Sequence, residues 1–131
     1  MVDYRGCFKK IAGDILIIGV SPPIVPLKGV VSQVDWITNA VISKAIAEKR
    51  YTGKDSEALL INTKELLPVD KTVVLGVGTG KNLRNDVVKI LKGLKIRSFS
   101  IMLPRNIKSE FKGTEHNLGD ERLIVVKDIN L

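Results

Sequence analysis

The sequence predicts an α/β fold: a three-layer α/β/α sandwich with helices on both faces of a mixed, mostly parallel sheet. Two features carry that expectation. Short Ile- and Val-rich runs at 14–20, 58–62, 72–77, 98–103 and 123–127 alternate with amphipathic segments at 33–50 and 82–93. Strands covered on both faces and joined by crossing helices have this pattern. No repeat, low-complexity tract or linker interrupts the 131 residues, so a single domain over 1–131 is expected. A chain of that size buries roughly two thirds of its unfolded surface.

Asp14–Val20 (DILIIGV) is apolar throughout and is stopped by Ser21-Pro22-Pro23, as a buried strand would be. After a loop through Pro26, Ser32 offers an N-cap with Asp35 three residues on, and Val34, Ile37, Val41 and Ala45 recur at helical spacing. One long helix from Gln33 to Arg50 is the resulting expectation, ended near Gly53. Ala58–Asn62 and Thr72–Val77 read as strands whose short connection suits antiparallel neighbours. Asn82 is placed to cap a helix whose stripe is Leu83, Val87, Ile90, Leu91 and Leu94, with Gly93 as its natural end. Ser98–Leu103 is a fourth strand closed by Pro104. The polar stretch from Arg105 to Arg122 lacks periodicity apart from a short helix near Lys108, and Leu123–Lys127 is a fifth strand.

Composition narrows the function classes. The chain is 44% hydrophobic and 27% charged, which is normal for a folded globular domain. Cys7 is the only cysteine, which rules out an internal disulfide or a thiolate metal cluster and suits a reducing cytoplasm. The longest apolar runs fall far short of the ~20 residues that cross a bilayer, and the start has acids and no signal-type apolar region. The net charge of +7 resides entirely between Lys81 and Lys112, where nine basic residues face only Asp86 and Glu110. An electrostatic partner would therefore meet the second half of the chain.

The stretch TVVLGVGTGKN, Thr72–Asn82, runs a strand into alternating glycines before a helix. It is too short for a phosphate-binding Walker loop and has no hydroxyl residue after Lys81. Its G-x-G-x-G spacing is not the dinucleotide fingerprint, and no acid follows at the required distance. Two readings stay open. Gly76, Gly78 and Gly80 permit positive φ and close packing, or Gly76, Gly78, Thr79, Gly80, Lys81 and Asn82 form an anion or ligand loop at a helix amino terminus. Arg84, Lys89 and Lys92 on the following helix are candidate nucleic-acid contacts, set against the plain reading of a solvated face. His116 is the only histidine, so no two-histidine metal centre can be built and no metal site is assigned. Cys7 with His116 makes a poor nucleophile and base pair, and Glu115, Asp120 and Glu121 read as a solvated loop. Asp35 suits a helix start, and Trp36 is expected to be a packing anchor, with a partner-facing role for both as the alternative.

Two blocks resemble the amino-terminal domain of the leucyl aminopeptidase family, the di-metal cytosolic peptidases. PLKGVVSQVDWITNAVISKAIAEKRYTGKDSEALLIN at 26–62 carries Pro-Leu-x-Gly, Val-Asp-Trp, Ser-Lys-x-Ile, Tyr-Thr-Gly and Glu-Ala-Leu-Leu elements. VVLGVGTGKNLRNDVVKIL at 73–91 carries a strand-glycine-helix unit. With the first strand, the similarity covers about residues 10 to 104. The resemblance implies a macro-domain-like fold and a domain that supports oligomers without doing chemistry. The family's catalytic signature, similar to NTDAEGR, has no counterpart in these residues, so no catalytic residue and no cofactor carries over. The expectation is a free-standing, non-catalytic domain. Its implied partners are further copies of itself or a separate peptidase-like chain. A phosphate-containing small molecule such as ADP-ribose or a nucleotide, held by the glycine loop, is the alternative; nucleic acid is a second alternative, and no membrane partner is expected.

Overall fold

The computed structural model describes residues 8–129, so the readings of Cys7 and of the amino-terminal stretch lie outside the described residues. At the centre runs β1 (Ile15–Val20), every residue of which is buried. Parallel neighbours flank it on both edges: β3 (Lys71–Gly76), with Ile17 opposite Val73, and β4 (Phe99–Pro104), with Ile17 opposite Ile101. Beyond β3 lies β2 (Ala58–Asn62), and beyond β4 lie β6 (Glu121–Val126) and β5 (Thr114–Leu118), all paired antiparallel. The six-stranded order is β2-β3-β1-β4-β6-β5, parallel in the middle and antiparallel at the flanks. β2 and β3 are the antiparallel neighbours that their short connection predicts.

Alternation along β1 assigns the two cores. Leu16 and Ile18 join Val30, Val34, Ile42 and Ala45 beneath one helical layer. Ile15 and Ile17 join Leu83, Val87, Leu91, Phe99 and Ile101 beneath the other. A strand with both faces apolar needs a helix on each side, and the chain supplies both.

The first helical layer departs from the single helix expected over 33–50. It consists of α1 (Gly29–Ile37) and α2 (Val41–Ala47). The Asn39 amide bonds the Trp36 carbonyl at 3.3 Å, and the Ala40 amide bonds the Asp35 carbonyl at 2.8 Å. Asn39 and Ala40 have left-handed φ of 61° and 66°. This is a Schellman ending with asparagine, rather than glycine, at its left-handed position. The Thr38 hydroxyl adds a bond to the Val34 carbonyl at 2.7 Å. Asp35 then acts a second time: its carboxylate accepts the Ser43 amide at 2.9 Å and the Ser43 hydroxyl at 2.5 Å, capping α2 where Ala40 cannot. An acid at a helix start is thus correct for α2, although Asp35 itself sits in the last turn of α1. Nor does Ser32 cap α1. The helix starts four residues after Val25, behind Lys28, and its Val30 amide donates to Glu121 Oε1 at 3.1 Å. Burial pushes the Glu121 carboxyl above its ordinary range, partly opposed by that bond and reinforced by Asp120.

On the opposite face α3 (Leu83–Leu94) is the longest helix, with Leu83, Val87 and Leu91 buried and Ile90 and Leu94 at the margin, as the stripe predicts. It runs through Gly93 and ends at Lys95, whose φ is 58°. Three buried aliphatic side chains contribute about 1.5–3 kcal/mol each, whereas glycine inside a helix costs about 1 kcal/mol. Packing therefore overrides the glycine.

Residues 105–113 contain no helix near Lys108, and 114–118 form the sixth strand, β5, in a hairpin with β6. β5 reads TEHNL and stays largely exposed. An edge strand with little buried surface leaves no apolar alternation for a sequence reading to find.

Asp35→Ala removes both acceptors that start α2 and is expected to lower stability by about 1–2 kcal/mol. Thermal melts followed by circular dichroism would show a midpoint several degrees lower, with an otherwise unchanged spectrum.

Candidate functional site

The loops after β1, β3 and β4 leave the same end of the sheet, because those three strands are parallel. Ligand sites of open α/β sheets gather at such ends. The glycine loop after β3 has two sides with opposite chemistry.

Its inner side is occupied by the protein. A Cβ on Gly76 would lie 1.8 Å from the Lys54 carbonyl oxygen, so only glycine lets the 53–57 segment close on the strand end. The Ser56 amide bonds the Gly76 carbonyl, and the Gly76 amide bonds the Glu57 carbonyl, both at 2.8 Å. Glu57 holds that segment in place. One carboxylate oxygen accepts the Thr52 amide and hydroxyl at 2.7 Å each and the Gly53 amide at 2.8 Å. The Thr52 bonds, and then those from Gly53 and the charge of Lys54, hold its carboxyl below the ordinary value of 4.5. Asp55 reaches over Gly78 and accepts the Asn82 side-chain amide at 3.2 Å, while Ser56 donates to Asp86 at 2.7 Å. Asn82 therefore occupies the N-cap position of α3 without making a side-chain capping bond. The Gly78 carbonyl accepts the Ser21 hydroxyl at 3.0 Å, and the Gly80 amide bonds Val77 at 2.7 Å.

The outer side opens into a cleft of about 630 Å³. Thr79, Gly80, Lys81, Leu83 and Arg84 form one wall; Asn106, Lys108, Ser109, Glu110 and Phe111 form the other. The Arg84 guanidinium lies 5.9 Å above the Phe111 ring, which meets Phe99 edge-on at 5.3 Å and 88°. Gly80 has φ 91°, and a Cβ there would stand 3.0 Å from the buried Ile107 side chain. Of the three candidate nucleic-acid contacts, Arg84 lines this cleft, while Lys89 and Lys92 are exposed on α3 outside it. Both phenylalanines of the basic segment are buried.

Trp36 corrects its expected packing role. It is 81% exposed on the outward face of α1, because the inward positions are held by Val30, Val31 and Val34. The loop expected to hold Glu115, Asp120 and Glu121 is a hairpin instead. Glu115 and His116 lie on β5, with Glu115 3.2 Å from Arg122, Asp120 is exposed in the turn, and the half-buried Glu121 accepts the Val30 amide at the start of α1. A smaller cleft of about 380 Å³, which includes Ser21, Lys28, Pro104 and Glu121, lies between the β1–α1 loop and the start of β6. Among the described residues no three His, Cys, Asp or Glu side chains gather as a metal site would require, and no helix is long and apolar enough to cross a membrane.

No protein-family model matches the chain. Similarity to known proteins is found instead among aminopeptidases. The probable cytosol aminopeptidase of Alkaliphilus oremlandii (strain OhILAs) is 23% identical over 113 residues, covering 86% of this chain and 23% of that protein. That of Alkaliphilus metalliredigens (strain QYMF) is 32% identical over 84 residues, covering 60% of this chain and 17% of the relative. The probable cytosol aminopeptidase of Synechocystis sp. (strain ATCC 27184 / PCC 6803 / Kazusa) is 24% identical over 101 residues, 71% of this chain and 20% of its own length. These similarities support a relation to the cytosol aminopeptidases. The chain spans about a fifth of the length of the curated relatives it matches.

Two outcomes test the inner side of the loop. Gly76→Ala is expected to destabilise by more than about 2 kcal/mol, since backbone rather than a side-chain tip must move, and urea unfolding would register the loss. Glu57, with its carboxyl held low in the fold, stabilises above its ordinary value and loses that contribution as pH falls through the lower one. Melts of Glu57→Gln should therefore fall below those of the parent at neutral pH and converge with them in acid.

Proposed function

We propose that the chain is a non-catalytic domain related to the cytosol aminopeptidases that works by association, with further copies of itself or with a separate peptidase-like chain. The observation that carries this reading is Trp36, exposed over 81% of its surface on the outer face of α1. A tryptophan so exposed is unusual on a surface without partners, and aromatic anchors of this kind dominate the energetics of protein contacts. Its backbone is rigidly held. The Schellman ending at 39–40 and the Asp35 cap on α2 fix the helix turn that presents it, so little ordering entropy is lost on contact. The relatives extend well beyond the 16–23% of their length that is matched, which supports reading this chain as one contributor to an assembly.

Light-scattering mass, measured over a concentration series and in mixture with the catalytic portion of a cytosol aminopeptidase, tests the proposal. Association is expected, with the single tryptophan's emission shifting to the blue as it leaves water. Trp36→Ala should weaken it by at least tenfold, the low end of an anchor's contribution. A monomer at every concentration that ignores the catalytic portion would refute association. Metal-dependent release of leucine from an amide by the purified chain would refute the non-catalytic assignment.

A further inference from the structure

The outer cleft carries a second inference, independent of Trp36. Lys81 on the glycine turn, Arg84 in the first turn of α3 and Lys108 on the 105–113 loop approach it, opposed by the single acid Glu110. Ion pairs among the described residues are Arg50 with Glu48, Arg97 with Asp128 and Arg122 with Glu115, none of which engages these three cations. The arginine has an aromatic neighbour. Its guanidinium carbon lies 5.9 Å over the Phe111 ring, which Phe99 braces edge-on, a cation–π contact at the cleft wall. Ser109 Oγ accepts the Phe111 amide at 3.0 Å, which leaves its own proton to donate. Thr79 and Asn106 add a hydroxyl and an amide.

Charge is partitioned across the glycine loop. Asp55 and Asp86 occupy the inner side, where an anion would be repelled, and the cations occupy the outer side. The volume of about 630 Å³ suits a small molecule of nucleotide size. A polynucleotide would require an extended basic stripe with exposed aromatics, whereas Lys89 and Lys92 lie outside the cleft and Phe99 and Phe111 are buried.

We propose that the cleft between the 79–84 turn and the 106–111 loop binds a phosphate-bearing small molecule, with Arg84 and Lys108 gripping phosphate oxygens from opposite walls and Lys81 adding charge. Arginine supplies the planar, paired donors that phosphate oxygens accept, and lysine acts as a point charge. Binding to either source of this chemistry, a free diphosphate or a nucleotide, satisfies the proposal.

Thermal shift and calorimetry on the intact chain, with inorganic pyrophosphate and with ADP as probes, decide it. Both are expected to raise the melting temperature, and added salt to weaken them. A tighter ADP complex would assign a nucleotide, and equal affinities the phosphate group alone. Lys108→Ala and Arg84→Gln should each lower affinity at least tenfold, while Lys92→Ala, on the same helix but outside the cleft, leaves it unchanged. Melting of each variant without ligand shows whether it is folded, and Lys108 is exposed enough for its change to leave the core intact. The absence of any shift at millimolar probe would overturn the proposal. So would equal losses in Lys92→Ala, or binding of duplex DNA that depends on Lys89 and Lys92 but not on Lys108. Light-scattering mass recorded with and without probe keeps this result separate from the association reading.

Discussion

Strand β1 is hydrogen-bonded along both edges and covered on both faces, and the rest of the molecule is arranged to satisfy it. Its alternating side chains require a helical layer on each side: Leu16 and Ile18 demand α1 and α2, and Ile15 and Ile17 demand α3. Its parallel pairing with β3 and β4 requires each connection to return across a face of the sheet. It also delivers the loops that follow all three strands to one end. The clefts sit there because the central strands run the same way, and the β5–β6 turn and the segment before β2 meet their loops at that end.

Much of the local structure around this frame is held by carboxylates acting over a distance. Asp35 caps a helix it does not belong to, Glu121 caps α1 from β6, and Glu57 gathers three donors to shape the segment that closes on Gly76. Each replaces water at a backbone amide that would otherwise be stranded at a helix end or in a tight loop. Seen only in sequence, these acids resemble solvated charges that balance lysines. In the fold they are bonding groups, and the cations are left to face outward. The glycine loop divides these two populations. Acids and the 53–57 backbone press against one side of it, and Lys81, Arg84 and Lys108 line the other.

The frame was legible in the sequence because burial on two faces leaves an unmistakable mark. Runs such as ILIIGV and TVVLGV, and the stripe from Leu83 to Leu94, owe their composition to neighbours on every side. The break between α1 and α2 was hidden because Asn39 and Ala40 adopt left-handed angles without a glycine to announce them. β5 was hidden because an edge strand buries too little to be apolar.

The order of apolar and polar residues by itself determined the layers, the central strands, α3 and the glycine turn, since each depends on a local period or a local turn. The tertiary structure alone decided that Trp36 faces outward and that the glycine turn is filled on one side and open on the other. It also joined Arg84 to Phe111 and Lys108 in a single cleft. These outcomes depend on which distant segments meet. Contact between residues twenty or more positions apart is set by how the sheet is ordered, and no short-range pattern encodes that order.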